Sequence, residues 1–141
     1  MQITITKEDF DRLVEHARSV SPKEACGLVA GEETTDGTRK IKRVWLLTNI
    51  DHDEEHFSID PREQLAAVKE MRSLGLTPLG NWHSHPASPS RPSEEDKRLA
   101  NDSRASYLIL SLEGEEPVLN AFHIEGPAEK RTVRKEDLII R

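Results

Sequence analysis

The stretch His83-Ser84-His85-Pro86, followed by Ser93-Glu94-Glu95-Asp96, constrains this chain more than any other part of it. A strand points residues i and i+2 to one face. His83 and His85 can therefore reach one ion together, while Ser84 faces the other way. Residues 86–92 hold three prolines and predict a stiff loop, because proline fixes φ and removes a donor. Ser93-x-x-Asp96 then has the form of a helix capping box. A fold for this chain must bring a strand end, a stiff loop and a helix start to one point. Two imidazoles and one carboxylate make a three-ligand zinc set with a fourth position open for water, the mark of a catalytic rather than a structural site.

The rest of the chain supplies a frame for these pieces. Met1 to Thr6 alternates like a strand. Thr6 can cap a helix, with Asp9 at the capping-box position and a stripe of Phe10, Leu13, Val14 and Ala17. Ser21-Pro22 ends that helix. Residues 25–30 predict a buried strand, Glu32 to Gly37 a polar turn, and 38–48 a half-exposed strand. Asn49 to His56 is acidic and irregular. Asp60-Pro61-Arg62-Glu63 is a helix start, with Leu65, Val68, Met71 and Leu74 expected inward and Gly75 as the C-terminal cap. Residues 76–85 form the histidine strand. Tyr107–Leu112 and Val118–Ile124 predict two further strands, and Lys130–Val133 a short last one. Strands mixed with about three helices predict an α/β layered domain with a mixed sheet, and 1–141 is most simply one domain.

The balance of charges narrows the partners. Among 141 residues 33% are charged and 35% hydrophobic, with a net charge of -6. That argues against nucleic acid or an anionic membrane as partner. No apolar run approaches the roughly 20 residues of a spanning helix, and the N-terminus lacks a signal-peptide layout. The single cysteine, Cys26, excludes an intramolecular disulfide and makes a cytoplasmic location the default. Cys26 itself is expected to be a small buried hydrophobe, and Trp82 to be core or rim packing.

His83-x-His85-Pro86, a gap of seven residues from His85 and then Ser93-x-x-Asp96 together resemble the JAMM (MPN-plus) metalloprotease signature. Glu24, just before the apolar run Ala25–Ala30, takes the place of that family's upstream glutamate. The order of elements agrees over most of residues 5–125. The brevity of the chain resembles the prokaryotic branch, whose members act on ubiquitin-like and sulfur-carrier proteins. The resemblance implies a curved sheet flanked by helices, akin to the cytidine-deaminase fold. It also implies one zinc per chain on His83, His85 and Asp96, with Glu24 as general base and Ser93 steadying the water or the oxyanion. Eukaryotic deubiquitinating relatives carry a further insertion with its own zinc. Here residues 100–124 run from helix to strands without a cysteine, so linkage-selective cleavage of polyubiquitin is not expected.

The resulting expectation is a zinc peptidase or isopeptidase. Its substrate would be a ubiquitin-like or sulfur-carrier protein, cut at the amide after a C-terminal glycine. The Gly-Gly tail is expected in a groove between the loops 86–92 and 49–56, paired with a free strand edge. Two other readings stand beside this one: a non-catalytic MPN scaffold, and a zinc hydrolase of a small-molecule amide. Individual residues have plainer readings too. Ser93 and Asp96 serve as a helix cap in any case, Glu24 alone is a surface glutamate, and Asp51 to His56 is a solvated loop more readily than a second metal site.

Overall fold

The computed structural model describes residues 2–51 and 54–141. Its strands are β1 (Gln2–Ile5), β2 (Cys26–Glu33), β3 (Arg39–Leu47), β4 (Thr77–His85), β5 (Ser106–Ser111), β6 (Val118–Glu125) and β7 (Thr132–Ile140). Three helices, α1 (Lys7–Val20), α2 (Pro61–Ser73) and α3 (Glu94–Leu99), complete it. The sheet is mixed, as expected, but it closes into a barrel in the order β1-β3-β2-β4-β5-β6-β7. Closure comes from β1, which pairs parallel with both β3 and β7. The histidine strand itself offers no free edge, since β4 is paired on one side by β2 and on the other by β5; β3 is paired by β1 only at Arg39 and Lys40.

Periodicity explains most of the layering. In α1, Thr6 accepts the N–H of Asp9, and Phe10, Leu13, Val14 and Ala17 are all buried. That stripe joins Ile3, Val29, Val44, Trp82, Leu108 and Leu110 in the main core. The alternate residues of β5 and β6 face the other way, where Ile109, Phe122 and Ile124 form a second cluster with Ala100, the residue that ends α3. His83 is registered beside Ile109 and Trp82 beside Leu108. One face of β4 thus feeds the main core while the other presents the histidines toward α3. Gly27 sits opposite Trp82. A Cβ there would lie 1.8 Å from the Trp45 carbonyl oxygen and 2.4 Å from the Trp82 ring nitrogen, so only glycine lets these strands approach.

Two expectations need correction. In α2 the buried residues are Ala67 and Met71; Leu65, Val68 and Leu74 are exposed, Leu65 at 54%. The helix lies on the sheet by a narrower stripe than its apolar residues suggest. The last strand runs to Ile140 rather than ending at Val133, because the charged run Arg134–Asp137 hides it. Glu136 there is buried and takes the Ser106 hydroxyl (2.8 Å) and the His123 ring (3.0 Å). Arg39 extends this network to Ser106 (2.8 Å) and Glu33 (2.7 Å), so the barrel closes on paired charges as well as apolar contacts. The loop 86–92 packs along β5 and β6, where Asn120 donates to the Ser90 carbonyl at 3.1 Å. Ser90 donates to the Ile109 carbonyl, Ser111 to that of Ser88, both at 2.6 Å. No described helix is long and apolar enough to cross a membrane.

Candidate functional site

β4 ends at His85, and its histidine face looks onto the start of α3. His83 and His85 are 3% and 4% exposed. Their Nε2 atoms are 3.1 Å apart. Asp96 Oδ2 lies 3.2 Å from the first and 3.0 Å from the second. The edges of this triangle are near the ~3.3 Å between neighbouring ligands around a tetrahedral zinc with bonds of about 2.0–2.1 Å. His85 Nδ1 lies 2.8 Å from the Pro89 carbonyl. A carbonyl only accepts, so Nδ1 bears a proton, and in the neutral form of the ring the Nε2 lone pair is the one left for a cation. Three buried donor atoms converging in this way suit a cation between them. Among the described residues this is the one group of three such side chains close enough to share an ion.

The electrostatics agree. Burial alone would raise the Asp96 carboxyl. The hydrogen bonds with His83 and His85, the His83 charge and the Ser93 N–H outweigh it and hold the group well below the usual carboxylate range. Burial would likewise lower His85, but its bonds to Asp96 and the Pro89 carbonyl turn the shift upward.

Glu24 is brought to the same place from β2. The register Cys26–His83, carried outward by two residues, sets Glu24 opposite His85. Ser84 fastens that junction: its Oγ accepts the Ala25 N–H at 2.7 Å and its own N–H donates to the Ala25 carbonyl at 3.0 Å. Glu24 is only 5% exposed, and its Oε1 is buried with no hydrogen-bond partner among the described residues. Burial pushes its carboxyl up to about 8, with the His85 charge opposing and the Asp96 charge adding. This is no surface glutamate. A buried, poorly solvated carboxyl beside a candidate metal cluster has the proton affinity that a base working near neutral pH needs.

Ser93 caps α3. Its Oγ accepts the Asp96 N–H and its N–H donates to Asp96 Oδ2, each at 3.0 Å. The capping reading therefore holds, and the cap orients the same carboxylate oxygen that faces the histidines. Cys26 is fully buried and burial pushes its thiol up to about 12, which leaves it a packing residue. Trp82 is fully buried in the core. Of the segment 51–56, His52 and Asp53 lie outside the described residues.

A groove of about 240 Å³ adjoins His83 and Asp96. Glu55 to Phe57 form one side, Glu95 and Leu99 of α3 another, and Tyr107 and Ile109 part of the floor. The acidic loop flanks it as expected, whereas the 86–92 loop does not line it. Two residues outside the sequence reading matter here. Asn49 donates through Nδ2 to the carbonyls of Glu24 and His56, both at 3.0 Å. Phe57 stacks on the His83 ring with centroids 4.6 Å apart. An asparagine and a phenylalanine in an irregular stretch carry no periodic signal.

Three relatives place the chain. A solution structure of a Desulfitobacterium hafniense protein is 49% identical, with a TM-score of 0.87, covering 99% of this chain and 92% of that one. The CysO-cysteine peptidase of Mycobacterium tuberculosis is 32% identical over 109 residues, 77% of this chain and 73% of that protein. The desampylase of Haloferax volcanii is 27% identical over 118 residues, 80% of this chain and 83% of that protein. Residues 6–125 match the family described as prokaryotic homologs of the JAB domain, and the chain belongs to that family.

Proposed function

We propose that this protein is a zinc-dependent peptidase or isopeptidase that hydrolyses the amide after the C-terminal glycine of a ubiquitin-like or sulfur-carrier protein. The observation that carries the reading is the buried convergence of His83 Nε2, His85 Nε2 and Asp96 Oδ2 within 3.0–3.2 Å, with the buried Glu24 carboxyl close enough to feel the charges of His85 and Asp96. The relatives support the substrate class: by name, one is a CysO-cysteine peptidase and another a desampylase. In our reading one zinc per chain sits on His83, His85 and Asp96. A zinc ion there supplies a Lewis acid for the carbonyl and lowers the pKa of a bound water to about 7.

The chain's own groups do the rest. Asp96 cannot act as base while its oxygen is committed to the metal, so Glu24 collects the proton from the attacking water. It then delivers that proton to the leaving nitrogen as the C–N bond breaks, giving a carboxylate and an amine. Asn49 and Ser84 hold the backbone on either side of Glu24, through the Glu24 carbonyl and the Ala25 N–H. Ser93 keeps Asp96 aimed, and its hydroxyl proton remains available to an oxyanion. The groove beside His83 takes the tail, and glycines at its end let backbone approach the cluster closely. With both edges of β4 paired, the tail's backbone meets loop groups beside the cluster rather than an edge of the histidine strand. A cytoplasmic location accords with the lone buried Cys26 and with a carrier-protein substrate.

The test is a mass-spectrometric time course on sulfur-carrier proteins bearing residues beyond Gly-Gly, with a chelator control. We expect cleavage after the second glycine, slower cleavage when the glycines are made bulkier, and a loss of about 10²–10⁴-fold in Glu24→Gln. Equal turnover of short unrelated peptides would overturn the carrier-protein reading. Wild-type turnover by Glu24→Gln would remove Glu24 as the base.

A further inference from the structure

The two histidines are held in different ways. A metal-ligating histidine usually donates its outer ring N–H to a carbonyl, carboxylate or water, which fixes the ring's plane and tautomer. His85 does this through Nδ1 and the Pro89 carbonyl at 2.8 Å. His83 does not: its Nδ1 is buried and has no hydrogen-bond partner among the described residues. What lies against His83 instead is the face of Phe57, with ring centroids 4.6 Å apart and planes 22° from parallel.

Phe57 is itself held from both sides by one side chain. Asn49 Nδ2 donates to the carbonyl of His56 at 3.0 Å, and Asn49 Oδ1 accepts the N–H of Ser58 at 3.1 Å. The same Oδ1 accepts the Asp51 N–H at 3.0 Å, and residues 49 and 59 form a β-bridge. Across the groove, His56 Nδ1 lies 2.7–2.8 Å from both oxygens of Glu95, next to Asp96. The loop is therefore closed at its base by Asn49 and tied at its tip to α3. Phe57 is half-buried between these two fastenings.

We propose that Phe57 is the positioning residue of His83: its ring face does by stacking what the Pro89 carbonyl does for His85 by hydrogen bonding, and Asn49 sets its place. This rests on the zinc reading of the site. The physical basis is direct. A flat contact over the whole ring resists rotation about the Cβ–Cγ bond, the motion that would carry Nε2 out of the ligand triangle. A cation bound at Nε2 draws electron density from the imidazole and makes it more attractive to the π face of Phe57. Because Asn49 also holds the Glu24 carbonyl at 3.0 Å, one side chain sets both the base and the pad behind a ligand.

The test is zinc affinity by competition with a chromophoric chelator, for wild type, Phe57→Leu, Phe57→Tyr, Asn49→Ala and His83→Ala, together with the visible spectrum of the cobalt(II)-loaded proteins. Phe57→Leu keeps an apolar side chain but no ring. It should weaken zinc about 10–100-fold, the range typical of lost partners behind metal ligands, and should shift the cobalt bands. Phe57→Tyr should restore both. Asn49→Ala, which leaves the ring but frees its loop, should weaken zinc in the same direction and serves if Phe57→Leu does not fold. If wild type binds zinc, His83→Ala does not, and both Phe57→Leu and Asn49→Ala match wild type in affinity and spectrum, the proposal is overturned while the metal reading stands. If wild type itself binds no zinc, the metal reading has failed, and this proposal with it.

Discussion

Ser84→Ala tests how the fold aims Glu24. Ser84 is fully buried, between two histidines that face the opposite side of β4. Its Oγ accepts the N–H of Ala25 at 2.7 Å, and Ala25 is 2% exposed. Alanine removes the acceptor and leaves that N–H buried without a partner, a loss of about 1–3 kcal/mol. The space left by one hydroxyl is too small for a water, so the N–H stays unsatisfied. For a chain of this size each kcal/mol lowers Tm by about 3–4 °C, so a fall of roughly 3–12 °C is expected. Urea unfolding of the metal-free protein should show a lower midpoint with unchanged slope. Zinc affinity should hold, because none of the three ligands is touched. Hydrolysis should fall at least about tenfold, because Glu24 is the neighbour of the released residue and small misplacements of a catalytic group are costly. A stability loss under about 0.5 kcal/mol with full activity would refute the claim that this hydroxyl anchors the start of β2.

Two further predictions follow from the same geometry. In the metal-free protein the Glu24 carboxyl is raised to about 8, so the folded state holds a proton that the unfolded chain releases near 4.3. Stability that is full below that value is lost as pH rises toward 8; Glu24→Gln should match wild type near about pH 4 and exceed it by roughly 1–3 kcal/mol above about pH 8 in chemical unfolding, and equal stability at both pH values would contradict the burial argument. Ser93→Ala removes the acceptor for the Asp96 N–H; it should lower stability by about 1 kcal/mol and weaken zinc several-fold through a looser Asp96, and an unchanged affinity in chelator competition would confine Ser93 to capping.

The parts of the site that were legible in the sequence are those set by local geometry. The i, i+2 spacing put His83 and His85 on one face, and the box Ser93-x-x-Asp96 put a carboxylate at a helix start. Both are found as expected. Glu24 needed the resemblance, because its burial depends on the register of β2 against β4, which no local pattern states. What stayed hidden is tertiary. Barrel closure rests on pairing residues at the two ends of the chain, Gln2–Ile5 with Asp137–Ile140. The strand that closes it is disguised by charges, and Glu136 is tolerable inside only because Ser106 and His123 meet it. Leu65 and Leu74 followed a helical stripe, yet α2 buries only Ala67 and Met71. Asn49 and Phe57 matter through contacts made across the fold, to Glu24 and His83.

The central claim is that His83, His85 and Asp96 together hold one zinc. Native mass spectrometry of zinc-loaded protein, after removal of excess metal, tests it most directly. Wild type should carry one zinc per chain, and His83→Ala, His85→Ala and Asp96→Ala should each lose it while remaining folded. A wild-type protein without metal after careful loading, or a zinc that survives all three substitutions, would contradict the account.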